Sequence, residues 1–210
     1  VVEHVRLDQP DKGQLGERDG LVKSDSAMLE VDVDSEAINS KNAAVVETVS
    51  RTALREMQPG RRYMIGIGGP SGVGKTTFTD EMMAGLEKAG KRVLKLNMDK
   101  FHESYERRQM LGTEWDETHM RIQETHRVLA AIKAGEKLVP FQAYDREERK
   151  ILEEVIDLTG IDTVVVEHLY AISSEERLGS FLEFVDLPVY IDADIADIKQ
   201  WRIQQEQKKK

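Results

Sequence analysis

Residues 69–77 read Gly69-Pro70-Ser71-Gly72-Val73-Gly74-Lys75-Thr76-Thr77 and fit the phosphate-loop pattern G-x-x-x-x-G-K-[ST] at every specified position. The apolar run from Tyr63 to Ile67 precedes them and predicts a buried strand. Behind them, Phe78, Met82 and Leu86 recur at the four-residue spacing of a helix. The pattern therefore lies in the strand–loop–helix context that a nucleotide-binding loop requires, and a glycine-rich turn without a ligand is the weaker interpretation.

The chemistry of phosphate binding explains these residue types. Glycines allow a tight turn whose backbone N–H groups point at phosphate oxygens, and the following helix adds its positive N-terminal end. Lys75 can reach the β- and γ-phosphates, and the Thr76 hydroxyl is placed to bind Mg²⁺. We therefore predict ATP and Mg²⁺ as cofactors. The predicted nucleotide-binding residues are Gly69, Ser71, Gly72, Val73, Gly74, Lys75, Thr76 and Thr77.

Composition limits the class of protein. The chain has 210 residues, of which 40% are hydrophobic and 33% charged, and this balance is typical of a globular α/β protein. Its net charge of −9 argues against nucleic-acid or membrane-surface partners, and it has no cysteine for a disulfide or a zinc site. It shows no long apolar run and no signal-peptide pattern. We predict a cytoplasmic protein with a small-molecule partner, and homo-oligomer formation stays open.

The chain divides near residue 60. Residues 1–34 are turn-rich and polar, although Val1, Val2 and Val5 can form a short strand. A helical pattern covers residues 35–57, and Pro59-Gly60 ends it. We predict an N-terminal extension over residues 1–60, which carries this helix, and a phosphate-loop domain over residues 61–210.

Strands and helices alternate through the second domain, which predicts a three-layer P-loop NTPase fold of the α/β class, with a mostly parallel sheet flanked by helices. Asp99 follows the strand over residues 92–97, and Glu167 ends the strand over residues 163–166. Ligands bind at the carboxyl ends of such strands, so both carboxylates are expected beside the phosphate loop. The remaining predicted elements are a helix over about 118–134, an extended piece at 138–141, a helix at about 174–184, a strand at 189–192 and a polar helix from 194.

The order of these motifs resembles the uridine kinase family of P-loop kinases, which includes phosphoribulokinase and type I pantothenate kinase relatives. The resemblance covers about residues 62–206. Its elements are Asp99-Lys100-Phe101-His102 for D-x-F-[YH], Trp115-Asp116 for an aromatic–Asp pair, Pro140 to Asp145 for P-x-Y-D with two extra residues, Val164 to Glu167 for a strand ending in Glu-Gly, and Asp192-Ala193-Asp194 before a lid helix with Arg202.

The resemblance implies transfer of the γ-phosphoryl group of ATP to a hydroxyl group. It implies catalytic roles for Asp99 on the acceptor hydroxyl and for Lys75 and Arg202 on the phosphates. Glu167 would assist Thr76 at Mg²⁺. The candidate acceptor-binding residues are His102, Asp116, Tyr144 and Arg149. The residues alone leave two alternatives open, a capping role for Asp99 and a simple surface charge at Glu167.

The sequence departs from the family pattern in three respects. His168 follows Glu167 where the family has glycine, so an open backbone position becomes bulky. Arg202 is the only arginine left of a lid that normally carries several. The chain stops at Lys210, inside or just after the lid, and the resemblance therefore predicts a domain that is incomplete at its C-terminus.

Several functions fit these observations. The resemblance favours a nucleoside acceptor, uridine or cytidine on the 5′-hydroxyl, with pantothenate or another small alcohol as the alternative. Asp157-Leu158-Thr159-Gly160 fits the D-x-x-G element of a GTPase switch, but the guanine-binding N-K-x-D motif is missing from the sequence. The reduced lid and His168 also allow a nucleotide-binding relative without catalysis.

Overall fold

The computed structural model describes residues 3–7, 38–111, 119–175, 180–196 and 198–199, with side chains from residue 43 onward. The strands are β1 (Glu3–Leu7), β2 (Tyr63–Gly68), β3 (Val93–Asn97), β4 (Leu138–Tyr144), β5 (Ile151–Asp157), β6 (Thr163–Glu167) and β7 (Leu187–Ala193). The helices are α1 (Ile38–Glu56), α2 (Lys75–Lys88), α3 (Tyr105–Leu111) and α4 (Ile122–Lys133), with 3₁₀ helices at Met98–Phe101 and Phe181–Phe184. None of these helices is both long and apolar enough to cross a membrane.

The main sheet has five parallel strands in the order β1-β7-β2-β6-β3. Its centre is β2, which pairs with β6 through Ile65 and Val165 and with β7 through Ile67 and Val189. Because every strand runs the same way, all carboxyl ends meet at one edge of the sheet. The prediction of an α/β fold with a mostly parallel sheet is confirmed.

One face of the sheet is covered by α1 and α2. Ile65 and Ile67 of β2 belong to the same buried cluster as Val49 of α1 and Leu86 of α2. These positions recur every second residue in the strand and at helical spacing in the helices, so each element presents one apolar face. Burying each of these side chains contributes about 1.5–3 kcal/mol, and the core thereby holds the phosphate loop between β2 and α2.

The opposite face is covered by α4 and by the segment after β3. Met64 of β2 and Val164 and Val166 of β6 pack there with Phe101 and with Leu129 of α4. Both faces of β2 and β6 are buried, and for this reason these strands read as nearly continuous apolar runs. Helices lie on both faces of the sheet, as the three-layer prediction requires.

A two-stranded antiparallel hairpin, β4–β5, stands apart from the main sheet. The extended segment predicted from the sequence covered only residues 138–141 and was therefore too short. Strand β4 runs on to Tyr144, which pairs with Ile151 of β5. Strand β5 was not predicted from the sequence. Most of its residues are half-buried or exposed, so the strand has no clean alternation of apolar and polar residues. The pairing of β5 with β4 fixes the position of the turn at residues 145–150.

The predicted helix over about 174–184 is wrong in the described part of that segment. Residues 173–175 have no regular structure, and a single 3₁₀ turn covers Phe181–Phe184. Ser180 has φ 54°, a left-handed conformation that a continuous right-handed helix cannot contain.

The start of the chain contributes to the main sheet. Strand β1 pairs in parallel with β7, with Val5 opposite Ile191, so the short strand expected near Val5 is present. Helix α1 spans 38–56, close to the predicted 35–57, and packs against α2. The domain division at residue 60 stays a prediction.

Gly68 lets the segment after β6 lie close to β2. A Cβ atom at Gly68 would stand 2.5 Å from Cγ1 of Ile172, so a larger residue would push this segment away. The backbone N–H of His168 also donates to the carbonyl of Ile67 at 3.1 Å. These contacts hold His168 at the carboxyl edge of the sheet.

Candidate nucleotide and acceptor site

A cleft of about 720 Å³ opens at the carboxyl edge of the sheet. It is bounded by the phosphate loop, the ends of β3 and β6, helix α3 and the β4–β5 turn. Its lining includes Ser71, Gly72, Gly74, Lys75, Thr76, Thr77, Asn97, Asp99, His102, Arg108, His119, Tyr144, Arg146, Glu167 and His168. The structure therefore brings the phosphate loop, Asp99 and Glu167 together, as the parallel topology predicted. Their chemical roles stay predictions.

The first glycine of the loop cannot be replaced without rebuilding the backbone. Gly69 has φ 139°, and a Cβ there would stand 2.2 Å from the carbonyl oxygen of Ile191 in β7. The loop therefore passes directly over the end of β7. This contact fixes the turn from which α2 begins.

Lys75 is held by the loop itself. Its ammonium donates to the carbonyl oxygens of Gly69 at 2.9 Å and Pro70 at 2.8 Å. Burial lowers the pKa of Lys75, while the negative charges of Glu167 and Asp99 raise it. The side chain starts the first turn of α2 and lines the cleft, where a nucleotide's β- and γ-phosphates would lie.

Thr76 and Glu167 form an oxygen-rich pair below the loop. The Thr76 hydroxyl donates to Oε1 of the buried Glu167 at 2.7 Å, and Oε2 of Glu167 lies 2.9 Å from Nζ of Lys95. Lys95 also pairs with Asp80 at 3.0 Å. Hydroxyl and carboxylate oxygens are ligands that suit Mg²⁺, so this pair fits the predicted cation. Lys95 was not predicted, because its contact with Glu167 crosses between two strands.

Asp99 turns its carboxylate into the cleft. The adjacent cap is made by Asn97, whose side-chain oxygen accepts the N–H of Asp99 at 2.8 Å. The Asp99 carboxylate instead approaches Nε2 of His168 at 3.4 Å and Nε2 of His102 at 4.0 Å, and it pairs with Arg146. This arrangement disfavours the alternative in which Asp99 only caps a turn.

Asp99 is held in its charged form. Burial by itself raises the pKa of this carboxyl group, but the hydrogen bond from His168 and the charges of His168, His102 and Arg146 outweigh it and lower the pKa to about 2. A carboxylate with so low a pKa is a weak base. It is better suited to orienting a hydroxyl group in a loose phosphoryl-transfer transition state than to removing the proton early.

The hydrogen bonds of His168 determine which ring nitrogen faces Asp99. The backbone N–H of Tyr170 donates to Nδ1 of His168 at 3.2 Å. A donated hydrogen bond requires an unprotonated acceptor, so the proton of a neutral His168 ring lies on Nε2 and faces the Asp99 carboxylate.

The same side chains resemble a metal-ligand set. Asp99, His102 and His168 place one potential ligand atom each within 4.8 Å of one another. A metal bound to Nε2 of His168 would need the opposite tautomer, which would set the Nδ1 proton against the Tyr170 N–H. The described contacts therefore favour a hydrogen-bonded group in which His168 orients Asp99.

We expect replacement of His168 by leucine to lower kcat by about tenfold, because Asp99 loses one charge-assisted hydrogen bond. The KM for ATP should not change, since the hydrogen bonds of His168 go to Tyr170, Ile67 and Asp99 and not to the phosphate loop. His168→Gln keeps an N–H donor and should recover part of the rate. Steady-state kinetics on both variants test this; equal rates for leucine, glutamine and histidine would show that His168 does not position Asp99.

The other predicted acceptor residues lie in different places. The hydroxyl of buried Tyr144 accepts a hydrogen bond from Arg108 at 2.6 Å. His102 lines the cleft, and its pKa is lowered to about 4, chiefly by burial and against the charge of Asp99. Arg149 lies outside the cleft lining, with its guanidinium 4.9 Å from the ring centre of Tyr105.

Two predicted site residues, Asp116 and Arg202, lie outside the described residues. The structure adds Arg108, His119 and Arg146 to the lining instead. Arg146 lies in the charged run 145–150, of which only Arg149 was predicted as a site residue, and only the β4–β5 pairing places Arg146 against Asp99. We call the group of Asp99, His102, Arg108, His119 and Tyr144 the acceptor side of the cleft.

Comparison with known families agrees with this geometry. The model of the phosphoribulokinase/uridine kinase family matches residues 64–210. A uridine kinase from Staphylococcus aureus is 30% identical over 146 residues, which are 65% of this chain and 64% of that enzyme. The chain spans 26% of the length of a uridine kinase from Saccharomyces cerevisiae that it also matches. It thus covers less than two thirds of either relative.

Two solved structures show the same fold. A possible uridine kinase from Bacillus stearothermophilus has a TM-score of 0.61 at 20% identity, over 77% of this chain and 88% of that one. A D-glycerate 3-kinase from Cryptococcus neoformans has a TM-score of 0.56 at 17% identity, over 82% of this chain and 79% of that one. At these identities the likeness concerns the fold alone.

Proposed function

The chain belongs to the phosphoribulokinase/uridine kinase family, and from this premise we propose that it transfers the γ-phosphoryl group of ATP to a hydroxyl group of a small metabolite. One observation carries the proposal: the phosphate loop and the Asp99 carboxylate line the same cleft. Nucleotide and acceptor can therefore meet in one cleft, and most of the catalysis comes from positioning and charge.

The loop binds the nucleotide. Its backbone N–H groups and the N-terminus of α2 face the phosphates, and Lys75 leaves the carbonyl oxygens of Gly69 and Pro70 to reach the β- and γ-oxygens. Charge developing on the transferred group is stabilised by this ammonium. The lid residue Arg202 is proposed to add a second positive charge.

Thr76 and Glu167 would hold Mg²⁺. When bound, Mg²⁺ would neutralise part of the negative charge of the phosphates. The Thr76 hydroxyl is a direct ligand in this proposal, and Glu167 acts through the hydrogen bond that it accepts from Thr76. Lys95 keeps the Glu167 carboxylate in place from the other side.

We expect Glu167→Gln to raise the Mg²⁺ concentration needed for half-maximal activity by about 10- to 100-fold, as losses around a metal ligand typically do. Glutamine retains an oxygen that accepts from Thr76 but loses the charge. Magnesium titrations of activity and of ATP binding measure the effect, with Glu87→Gln on the exposed side of α2 as the control. An unchanged Mg²⁺ requirement would remove Glu167 from the proposed site.

Asp99 handles the acceptor. Its carboxylate accepts a hydrogen bond from the attacking hydroxyl and receives the proton as the new P–O bond forms and the bond to ADP breaks. His168 and Arg146 hold the carboxylate in orientation. The resemblance adds Asp116 as a further acceptor-binding residue, and Arg149 is retained as a candidate because of its charge.

The acceptor is a nucleoside or another small alcohol in this proposal. The staphylococcal and yeast relatives are uridine kinases, and this supports uridine or cytidine. The D-glycerate 3-kinase with the same fold supports a small hydroxy acid, the class to which pantothenate also belongs. A thermal-shift screen of both groups, with a non-hydrolysable ATP analogue present, would identify the class that binds.

Affinity and turnover should be measured separately. A catalytic chain binds ATP and forms ADP only when an acceptor is present. A nucleotide-binding relative without catalysis binds ATP and forms no ADP with any acceptor. A chain that binds neither ATP nor GTP contradicts the proposal.

A further inference from the structure

Arg108 is a cation on the acceptor side of the cleft without a carboxylate partner among the described residues. Its guanidinium lies over the ring of Tyr144, 4.6 Å from Cζ to the ring centre, and donates to the Tyr144 hydroxyl at 2.6 Å. Its Nε is buried and makes no hydrogen bond to the described residues. The tyrosine thus fixes the guanidinium while leaving one N–H donor unused.

The other charges of the cleft are already accounted for. Asp99 pairs with Arg146, Glu167 pairs with Lys95, and the ammonium of Lys75 is held by the phosphate loop. Arg108 is consequently an excess positive charge in this set. Arg108 is half-buried, and a partly desolvated cation is stabilised by a nearby anion, so the site suits a negative group from outside the described residues.

His119 provides an independent observation. It is 2% exposed and lines the same cleft, yet neither of its ring nitrogens has a hydrogen-bond partner among the described residues. An imidazole so placed is costly unless a group outside the described residues donates to it or accepts from it. Two polar side chains of the acceptor side therefore have unused hydrogen-bonding groups.

We propose that the acceptor is a hydroxy compound with an anionic group, a carboxylate or a phosphate monoester, bound by Arg108 with His119 as a further contact. The guanidinium is a planar, charged group with several N–H donors, which suits the oxygens of either group. This inference rests on the proposed function, because it names the class of acceptor for the same reaction.

The anionic group takes no part in the chemistry. The acceptor oxygen forms a bond to the γ-phosphorus, the bond from that phosphorus to ADP breaks, and the hydroxyl proton passes to Asp99 and then to solvent. The carboxylate or phosphate of the acceptor stays unchanged in its contact with Arg108. Its binding places the hydroxyl group beside Asp99.

The test compares acceptors in matched pairs. The full chain, ATP and Mg²⁺ are combined with glycerate and glycerol, with fructose 6-phosphate and fructose, and with pantothenate and its neutral alcohol pantothenol. Uridine is assayed beside them as a neutral nucleoside. ADP formation and the mass of the product are followed. We expect the preferred anionic acceptor to exceed its neutral counterpart by about 10- to 100-fold in kcat/KM, and the pair that responds distinguishes a carboxylate from a phosphate.

Substitutions locate the effect. Arg108→Gln should raise the KM for the anionic acceptor by about 10- to 100-fold and leave the KM for ATP unchanged. Arg108→Lys keeps the charge but loses the paired donors and should fall between. Arg107→Gln, which removes an exposed arginine of the same helix, serves as the matched control.

Three results overturn the inference. The first is that uridine or glycerol is turned over as efficiently as any of the acids. The second is that none of the acids is turned over. The third is that the Arg108→Gln variant keeps an unchanged KM for the acid. Failure to bind ATP refutes the proposed function together with this inference. ATP binding with efficient turnover of neutral acceptors refutes this inference alone.

Discussion

Lys75→Ala is expected to lose phosphoryl transfer almost completely, with kcat reduced by at least about 10²–10³-fold, the usual cost of removing one donor that stabilises developing charge. The ammonium lies at the start of α2, and two carbonyl oxygens of the loop hold it. Alanine cannot replace the contact with the β- and γ-phosphates that is proposed for this ammonium. Helix α2 should persist, because its core positions Phe78, Met82 and Leu86 are untouched.

Calorimetric ATP binding and steady-state kinetics measure the two parts of this effect. ATP affinity should fall along with kcat, because Lys75 is proposed to contact the phosphates in the ground state as well. Lys88→Ala, at the exposed end of the same helix, is the matched control and should behave as the parent chain. Phosphoryl transfer at the parental rate by Lys75→Ala would contradict the assignment of the loop.

Asp99→Asn is expected to lower kcat by about 10²–10⁴-fold, the range typical for loss of a general base. Asparagine keeps the shape and one hydrogen-bond acceptor but cannot carry the charge that orients the hydroxyl and receives its proton. ATP affinity should change little, because Asp99 lies outside the phosphate loop. The two variants are thus distinguishable, since Lys75→Ala affects nucleotide binding and Asp99→Asn does not.

The pH dependence provides a second readout. The pKa of Asp99 is lowered to about 2, so the group is ionised in the folded chain at every pH from about 5 to 9. The ratio of parental to Asp99→Asn activity should therefore be constant over that range. The charged Asp99 also stabilises the fold. This contribution is fully present above the pKa that Asp99 has in the unfolded chain, and it is lost as the pH falls towards 2.

Asp157→Asn is the matched control for this substitution, because Asp157 is an exposed aspartate at the far end of the β4–β5 hairpin. It should leave kcat unchanged. If Asp99→Asn also works at the parental rate, Asp99 has only a structural role. The transition state would then be loose enough to need no base, or another carboxylate such as Glu167 would serve.

The phosphate loop and its neighbours were predictable because their information is local. Strand β2, the loop and α2 follow one another without interruption, and the helical spacing of Phe78, Met82 and Leu86 predicted the helix that is found at Lys75–Lys88. The common edge for Asp99 and Glu167 was also predictable, since parallel strands with crossover helices place all carboxyl ends on one side. In the first case the residues are close in sequence, and in the second the direction of the strands determines where the residues that follow them lie.

The contacts around Asp99 were not predictable in this way. The charged run 145–150 gave no indication that Arg146 would reach Asp99, because this depends on the pairing of β4 with β5. The bulk of His168 was visible in the sequence as a departure from glycine. Its hydrogen-bonding partners were not, because Tyr170 and Asp99 set the tautomer from two different segments.

The sequence by itself determined the class of fold, the phosphate loop and the edge of the sheet at which the candidate site lies, because each depends on hydrophobic periodicity, glycine conformation and the direction of strands. Only the tertiary structure decided which charges in the cleft are paired. Arg108 stacks on Tyr144 across 36 residues of chain, and Lys95 meets Glu167 across two strands. Such contacts depend on how side chains of separate elements pack in three dimensions, and no spacing rule along one segment encodes them.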